Sequence, residues 1–201
     1  MKKILLSAAA VLSALMLSVN VSANTSHKVV SGDTMWKIAV KYQVGLSEII
    51  EANPHISNPA LIYPGQVLNS PTTDTNVVNY ENEVIRLVNE IRAQNGLNAL
   101  NADWELSRVA RIKSQDMKDN KYFSHTSPDY VSPFEMIRNF GISFRSAGEN
   151  IARGQATPQA VINAWMNSSG HRANILNSSY NTIGVGYVES GKYWTQMFIR
   201  K

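Results

Sequence analysis

Apolar residues recur at helical spacing through residues 80–165 and switch to period two near the end of the chain. Over residues 80–94, Val84, Leu87, Val88 and Ile91 share one face and Gly96 follows, which predicts an amphipathic helix with a glycine stop. A second helix is predicted over residues 103–118, its inner face carrying Leu106, Val109, Ala110, Ile112 and Met117. Ser132-Pro133-Phe134-Glu135 is a helix start, with a capping hydroxyl, proline at the first helical position and a glutamate that closes a capping box. Thr157-Pro158-Gln159-Ala160 repeats that signal ahead of a helix reaching Trp165. Ile183, Val185 and Tyr187 then alternate, and Ser190-Gly191-Lys192 turns the chain into residues 193–199, a hairpin. Helices closed by a hairpin predict an α/β layered domain with at least one antiparallel sheet.

The preceding stretch is a smaller unit with its own pattern. His27-Lys28-Val29-Val30 predicts a strand ending at Ser31-Gly32-Asp33. A helix follows, capped by Asp33 or Thr34, with Trp36, Ile38, Ala39 and Tyr42 available for its apolar face and Trp36 in the core. Gly45 is expected to end that helix, and Ser47 to cap a second one over residues 48–52, before Asn53-Pro54. Ile62-Tyr63-Pro64-Gly65-Gln66-Val67-Leu68 supplies a turn and a closing strand, giving the order β-α-α-β. Residues 71–78 are polar, rich in Pro and Thr, and lack a helical period, so they are expected to form a flexible linker. The predicted layout is a signal segment at 1–23, a small domain at 24–70, the linker at 71–78 and a larger domain at 79–201.

The signal segment rests on Lys2 and Lys3, the apolar run from Ile4 to Val19, and the small-residue site Val21-Ser22-Ala23. The run is interrupted by serines and has no stop-transfer flank, which favours cleavage over anchoring; an exported protein with no membrane anchor after cleavage is expected. Cysteine is absent, so disulfides, thiol catalysis and thiolate metal sites are excluded. Lys2 and Lys3 account for two of the formal +4 charges, and no basic run exceeds two residues, which argues against nucleic acid as the main partner.

Three stretches concentrate the chemistry: Tyr122-Phe123-Ser124-His125, Ala147-Gly148-Glu149-Asn150-Ile151-Ala152, and Trp165 through Ser169-Gly170-His171-Arg172. They place two of the four histidines and one carboxylate in turn-like sequence between helical runs. His125 and His171 are too far apart to meet on one helix, so a shared site depends on the fold. By spacing alone His125 could bond backbone and Glu149 could anchor a loop. Ser168 and Ser169 near His171 lack the Gly-x-Ser-x-Gly elbow and a third triad member, and His-Glu-x-x-His and phosphate loops are missing. Trp165 and Trp194 are expected in the core.

Val30-Ser31-Gly32-Asp33-Thr34-Met35-Trp36-Lys37-Ile38-Ala39, with Asn53-Pro54 and Ile62-Tyr63-Pro64-Gly65-Gln66, resembles a LysM domain. The resemblance implies binding to N-acetylglucosamine-containing glycan, peptidoglycan in bacteria, in a groove between Gly32, Asp33, Thr34 and Met35 and the loop carrying Pro59, Leu61 and Ile62. That segment, with Ser57-Asn58-Pro59, also resembles versions found in spore-coat and spore-cortex proteins. The three chemical stretches, with Gly184-Val185-Gly186-Tyr187 and Tyr193-Trp194-Thr195-Gln196, resemble the CAP (SCP-like, cysteine-rich secretory) superfamily over residues 79–201.

That second resemblance implies an α-β-α sandwich with a central cleft holding two histidines and two acids. His125, Glu149 and His171 match three of the four, and His125 and His171 match a pair that binds zinc or another divalent cation in some members. The fourth acid is replaced by Ser168, and no Asp or Glu occurs between Ile151 and Val188, which puts a two-carboxylate mechanism in doubt. Two imidazoles alone make a weak zinc site. The expectation is a bacterial wall or spore-surface protein, tethered to peptidoglycan, whose cleft binds or regulates another envelope or spore protein. The alternatives left open are a metal-dependent hydrolase acting on wall peptide, glycan or protein, and lipid or sterol binding.

Overall fold

The computed structural model describes residues 23–201. The signal segment therefore lies outside the described residues, apart from Ala23, which opens the first strand.

The small unit comprises β1 (Ala23–Lys28), α1 (Met35–Tyr42), α2 (Leu46–Glu51) and β2 (Val67–Thr72), the predicted β-α-α-β order. β1 and β2 pair antiparallel, Lys28 opposite Val67. Val29, Met35, Ile38, Ala39, Val44, Ile49 and Leu68 form its core. Trp36 is not among them: it is 51% exposed. Helical residues three and four apart share a face, so a helix that starts at Met35 buries 35, 38 and 39 and turns residue 36 by about 100° toward solvent. Thr34 caps α1 by accepting from the Lys37 amide at 3.1 Å.

Gly45 does not end α1. Gln43 takes the left-handed conformation there, φ 55°, and Gly45 instead begins α2 with an ordinary φ of −71°. Its amide donates to the Glu48 carboxylate at 2.8 Å, which supplants Ser47 as the cap. The predicted linker is also not a loop. β2 runs to Thr72, and α3 (Thr75–Gln94) starts three residues later with Asp74 as its cap, accepting from Asn76 N at 2.7 Å. The polar run is a strand end, a cap and an exposed first turn, whose side chains need no apolar period.

In the larger unit α3 is followed by β3 (Asn101–Ala102), α4 (Trp104–Asp119), α5 (Pro133–Asn139), β4 (Ser146–Arg153), α6 (Pro158–Met166), α7 (Ser169–Ile175), β5 (Thr182–Val188) and β6 (Tyr193–Arg200). The sheet order is β3-β5-β6-β4, antiparallel except for the short β3–β5 pair. Strand alternation sends Met197 and Ile199 to one face, against Leu106, Val109 and Ile112 of α4 and Met136 and Ile137 of α5. It sends Ile183, Val185, Tyr187, Trp194 and Phe198 to the other, against α3 and α6. The result is the predicted α-β-α sandwich. Trp165 and Trp194 are buried as expected, and each indole N–H has a partner, at Ile151 O and Gln155 O.

Gly184 and Gly186 explain how closely α4 lies on the sheet. A Cβ on Gly186 would sit 2.0 Å from Arg111 N, and one on Gly184 would sit 2.4 Å from the Leu106 carbonyl carbon. Only a missing side chain lets helix backbone meet strand backbone there. Beyond the short β3 pairing, side chains satisfy the β5 amides: Val185 N donates to Ser107 Oγ and Tyr187 N to Glu81 Oε1. Glu81 is itself paired with Arg111 at 2.9 Å.

Candidate functional site

β4 is the edge strand of the four-stranded sheet, and the predicted site is built around it. The Gly148-Glu149-Asn150 run, expected as a turn, is extended strand paired with β6 from Phe198 to Gln196. Alternation assigns each residue a different task. Gly148 faces α7 and Tyr180, where a Cβ would lie 2.6 Å from the Tyr180 hydroxyl. Asn150 faces the same side: its amide donates to His171 O at 3.1 Å and Gln196 Oε1 at 3.0 Å, and its carbonyl oxygen accepts from Asn174 Nδ2 at 2.8 Å. Glu149 turns the other way, toward the loop that follows α4.

There Glu149 Oε1 lies 2.7 Å from Nδ1 of His125. The carboxylate side chain is 2% exposed and the imidazole 52%. A carboxylate only accepts hydrogen bonds, so Nδ1 carries the proton, and in its neutral form the ring keeps a lone pair on Nε2. Burial raises the Glu149 pKa above the usual carboxylate range, opposed by the His125 hydrogen bond and by the positive charge of Lys113. Its second oxygen, Oε2, is buried without a hydrogen-bond partner among the described residues.

Lys113 forms the floor of this pair. It is 1% exposed, and its ammonium donates to Tyr122 Oη at 2.8 Å and to His125 O at 3.1 Å. Burial lowers its pKa, while Glu149 and Asp116 act in the opposite sense. Asp116 accepts from the Tyr122 hydroxyl and from Ser127 Oγ, the latter at 2.7 Å. The histidine loop is thus held from below by a buried polar network that α4 supplies.

His171 lies on α7, on the opposite face of the sheet, where its carbonyl accepts from Asn150. Burial lowers the pKa of its imidazole, and the charge of His125 lowers it further. The structure thus joins His125 and Glu149 by a direct hydrogen bond, and ties the His171 backbone to β4 through Asn150. Ser168, at the position of the missing acid, starts α7 and makes no side-chain cap bond. Among the described residues no group of three or more His, Asp or Glu is arranged as a ready metal site.

Lys113 and Asp116 were missed by the sequence reading, although a signal was present. Lys113 falls on the Leu106, Val109, Ala110, Met117 stripe, so a charge stands where the helical period calls for an apolar residue. Asn150 and Asn174 left no comparable mark.

In the small unit, the predicted glycan residues divide by role. Gly32 is exposed at φ +89°. Asp33 accepts from Val30 N at 2.9 Å and bonds His27 Nε2 at 2.9 Å; the Val30 amide and then His27 hold its pKa low. Thr34 caps α1, and the Met35 side chain is committed to the core. Across the strand ends Leu61 is 51% exposed, Pro59 is partly exposed, and Ile62 packs against the core.

Comparison with known proteins places these features in context. The profile described as "Cysteine-rich secretory protein family" (CAP) matches residues 85–198, and the LysM domain profile matches residues 27–71. The chain is similar to the uncharacterized protein YkwD of Bacillus subtilis (strain 168), 60% identical over 122 residues, which are 61% of this chain and 48% of YkwD. It spans about half the length of that relative. Over 46 residues, 23% of the chain, it is 46% identical to the spore coat assembly protein ExsA of Bacillus cereus, 7% of whose length is covered. Among solved structures it resembles an extracellular protein containing a SCP domain from Bacillus anthracis str. Ames, with TM-score 0.61 and 36% identity, covering 69% of this chain and 47% of that one. The matched region runs from the middle of α3 into β6 and includes all three site residues, and the chain belongs to the cysteine-rich secretory protein (CAP) family, its CAP domain preceded by a LysM domain.

Proposed function

We propose that the protein is exported and held on peptidoglycan by its LysM domain, and that the CAP domain presents the His125–Glu149–His171 cleft there to bind or regulate an envelope protein. The observation that carries this reading is the division of labour within one chain. A glycan-binding type of module with exposed Gly32 and Leu61 loops precedes a cleft whose fourth expected acid is Ser168. With a single carboxylate, the cleft lacks the acid–base pair that glycan hydrolysis ordinarily uses. Deleting residues 24–70 should release the protein from isolated walls; unchanged cosedimentation would defeat the tether.

A second reading has one specific observation in its favour. Glu149 Oε2 is a buried oxygen without a partner, next to an imidazole whose Nε2 is left as an acceptor. Those donors suit a divalent cation such as zinc, held by His125 and His171 with Glu149 as a third ligand or base, in a metal-assisted hydrolase. Bound there, the cation would lower the pKa of a water molecule. Calorimetric titration with zinc, compared between wild type and His171→Ala, tests it; no heat in wild type would dismiss it. A spore-surface location is supported by the likeness of the LysM segment to ExsA, and imaging of a fluorescent fusion in sporulating cells tests that location.

A further inference from the structure

The two domains meet along a groove that neither the LysM loops nor the histidine cleft includes. From the LysM side it is walled by Trp36 and Leu46, and from the CAP side by Trp104 and Phe140, around a cleft of about 490 Å³. Trp36 is 51% exposed and Leu46 36% exposed. An adjoining cleft of about 550 Å³ shares Glu105, Gly141 and Ile142 with the first and continues to Phe144 and Arg145. The walls are pinned together from beneath. Arg108 of α4 pairs with Glu48 of α2 at 2.6 Å, both largely buried, and its guanidinium lies over the Phe140 ring at 5.2 Å. Gly45 is where that guanidinium passes: a Cβ there would meet it at 2.1 Å.

We propose that this interdomain groove is a second binding site for the peptidoglycan glycan strand, separate from the LysM loops and continuous with them through α1. The inference rests on the tether reading and extends it. Three features select a glycan. The exposed aromatic ring of Trp36 and the partly exposed ring of Trp104 offer flat apolar faces for the C–H faces of sugar rings. Ser47 and Asn139 line the same cleft with hydrogen-bonding groups for hydroxyl and acetamido substituents. The far end carries Arg145, which is exposed and, among the described residues, makes no ion pair, with Glu105 the one carboxylate side chain of the lining. Muramic lactyl groups and stem peptides carry carboxylates, so the aromatic end would take sugars and the arginine end their anionic substituents. The Glu48–Arg108 bridge fixes both walls in advance, which lowers the ordering cost of binding.

The test uses the purified protein from Asn24 onward and isolated peptidoglycan sacculi in a cosedimentation assay. Trp36→Ala and Arg145→Glu should each weaken binding by about five- to tenfold, with unchanged far-UV circular dichroism and melting temperature. Arg145 lies on the CAP domain, so a loss there cannot come from damage to the LysM loops. Wild-type binding retained within about twofold by both variants overturns the groove and leaves the tether standing. Wild type that fails to sediment overturns both, and Leu61→Ala as the sole damaging change assigns binding to the LysM loops alone.

Discussion

Glu149 and Asn150 are adjacent on β4 and face opposite sides of the sheet, the first bonded to His125 of the loop after α4, the second to the His171 carbonyl of α7. Two neighbouring side chains thereby gather the two histidine segments from the two faces of a sandwich onto one sheet edge. The Gly-Glu-Asn run serves tertiary contact rather than a turn.

Asn150 is completely buried and joins His171 O, Gln196 and Asn174. Asn150→Ala would leave these partners unsatisfied and should cost about 2–3 kcal/mol in urea unfolding. Arg172→Ala, at an exposed residue of α7, should cost less than about 1 kcal/mol. Equal losses would mean that Asn150 does not hold the site together.

Glycines on β5 and α7 should respond with opposite signs. Gly186→Ala drives a Cβ into α4 backbone, which cannot yield cheaply, and should destabilise by about 3 kcal/mol or more, or prevent folding. Gly170→Ala, within α7 and with open space around its Cβ, should stabilise by up to about 1 kcal/mol. Thermal melts of the two variants decide it.

Arg108 links the domains, so Arg108→Ala should loosen their coupling more than it lowers overall stability. A single calorimetric transition in wild type should split into two, with a loss of about 1–2 kcal/mol in the LysM domain. One unsplit transition in the variant would show that the bridge is not what joins the domains.

Much of this architecture was legible in the sequence where local signals agreed with the fold. The Ser132 and Thr157 caps, the Ile183–Val185–Tyr187 alternation and the buried tryptophans each followed from a pattern and held. The misreadings share a cause: the deciding contact is made with a distant segment. Gly148 and Asn150 look like turn residues, yet one makes room for Tyr180 and the other bridges to α7. Gly45 looks like a helix stop, yet it admits Arg108 from sixty-three residues away along the chain. Trp36 is the local exception: it looks like core by size, yet α1 buries Met35, Ile38 and Ala39 and turns residue 36 about 100° away to solvent. Ser168 marks the missing acid in the sequence, and Lys113 stands out there as a charge on an apolar stripe, whose role as the floor of the site is defined only beside Glu149.

The central claim is that His125, Glu149 and His171 share one cleft, and NMR titration of the His171 imidazole tests it most directly. Burial and the His125 charge lower its pKa below the ordinary value of 6.5, so native His171 resists protonation and the stability tied to its neutral form is lost as pH falls below about 6.5 toward the folded value. His125→Ala removes one of the two causes, and the His171 pKa should rise while remaining below its ordinary value. A His171 pKa that does not move when His125 is removed would contradict a shared cleft.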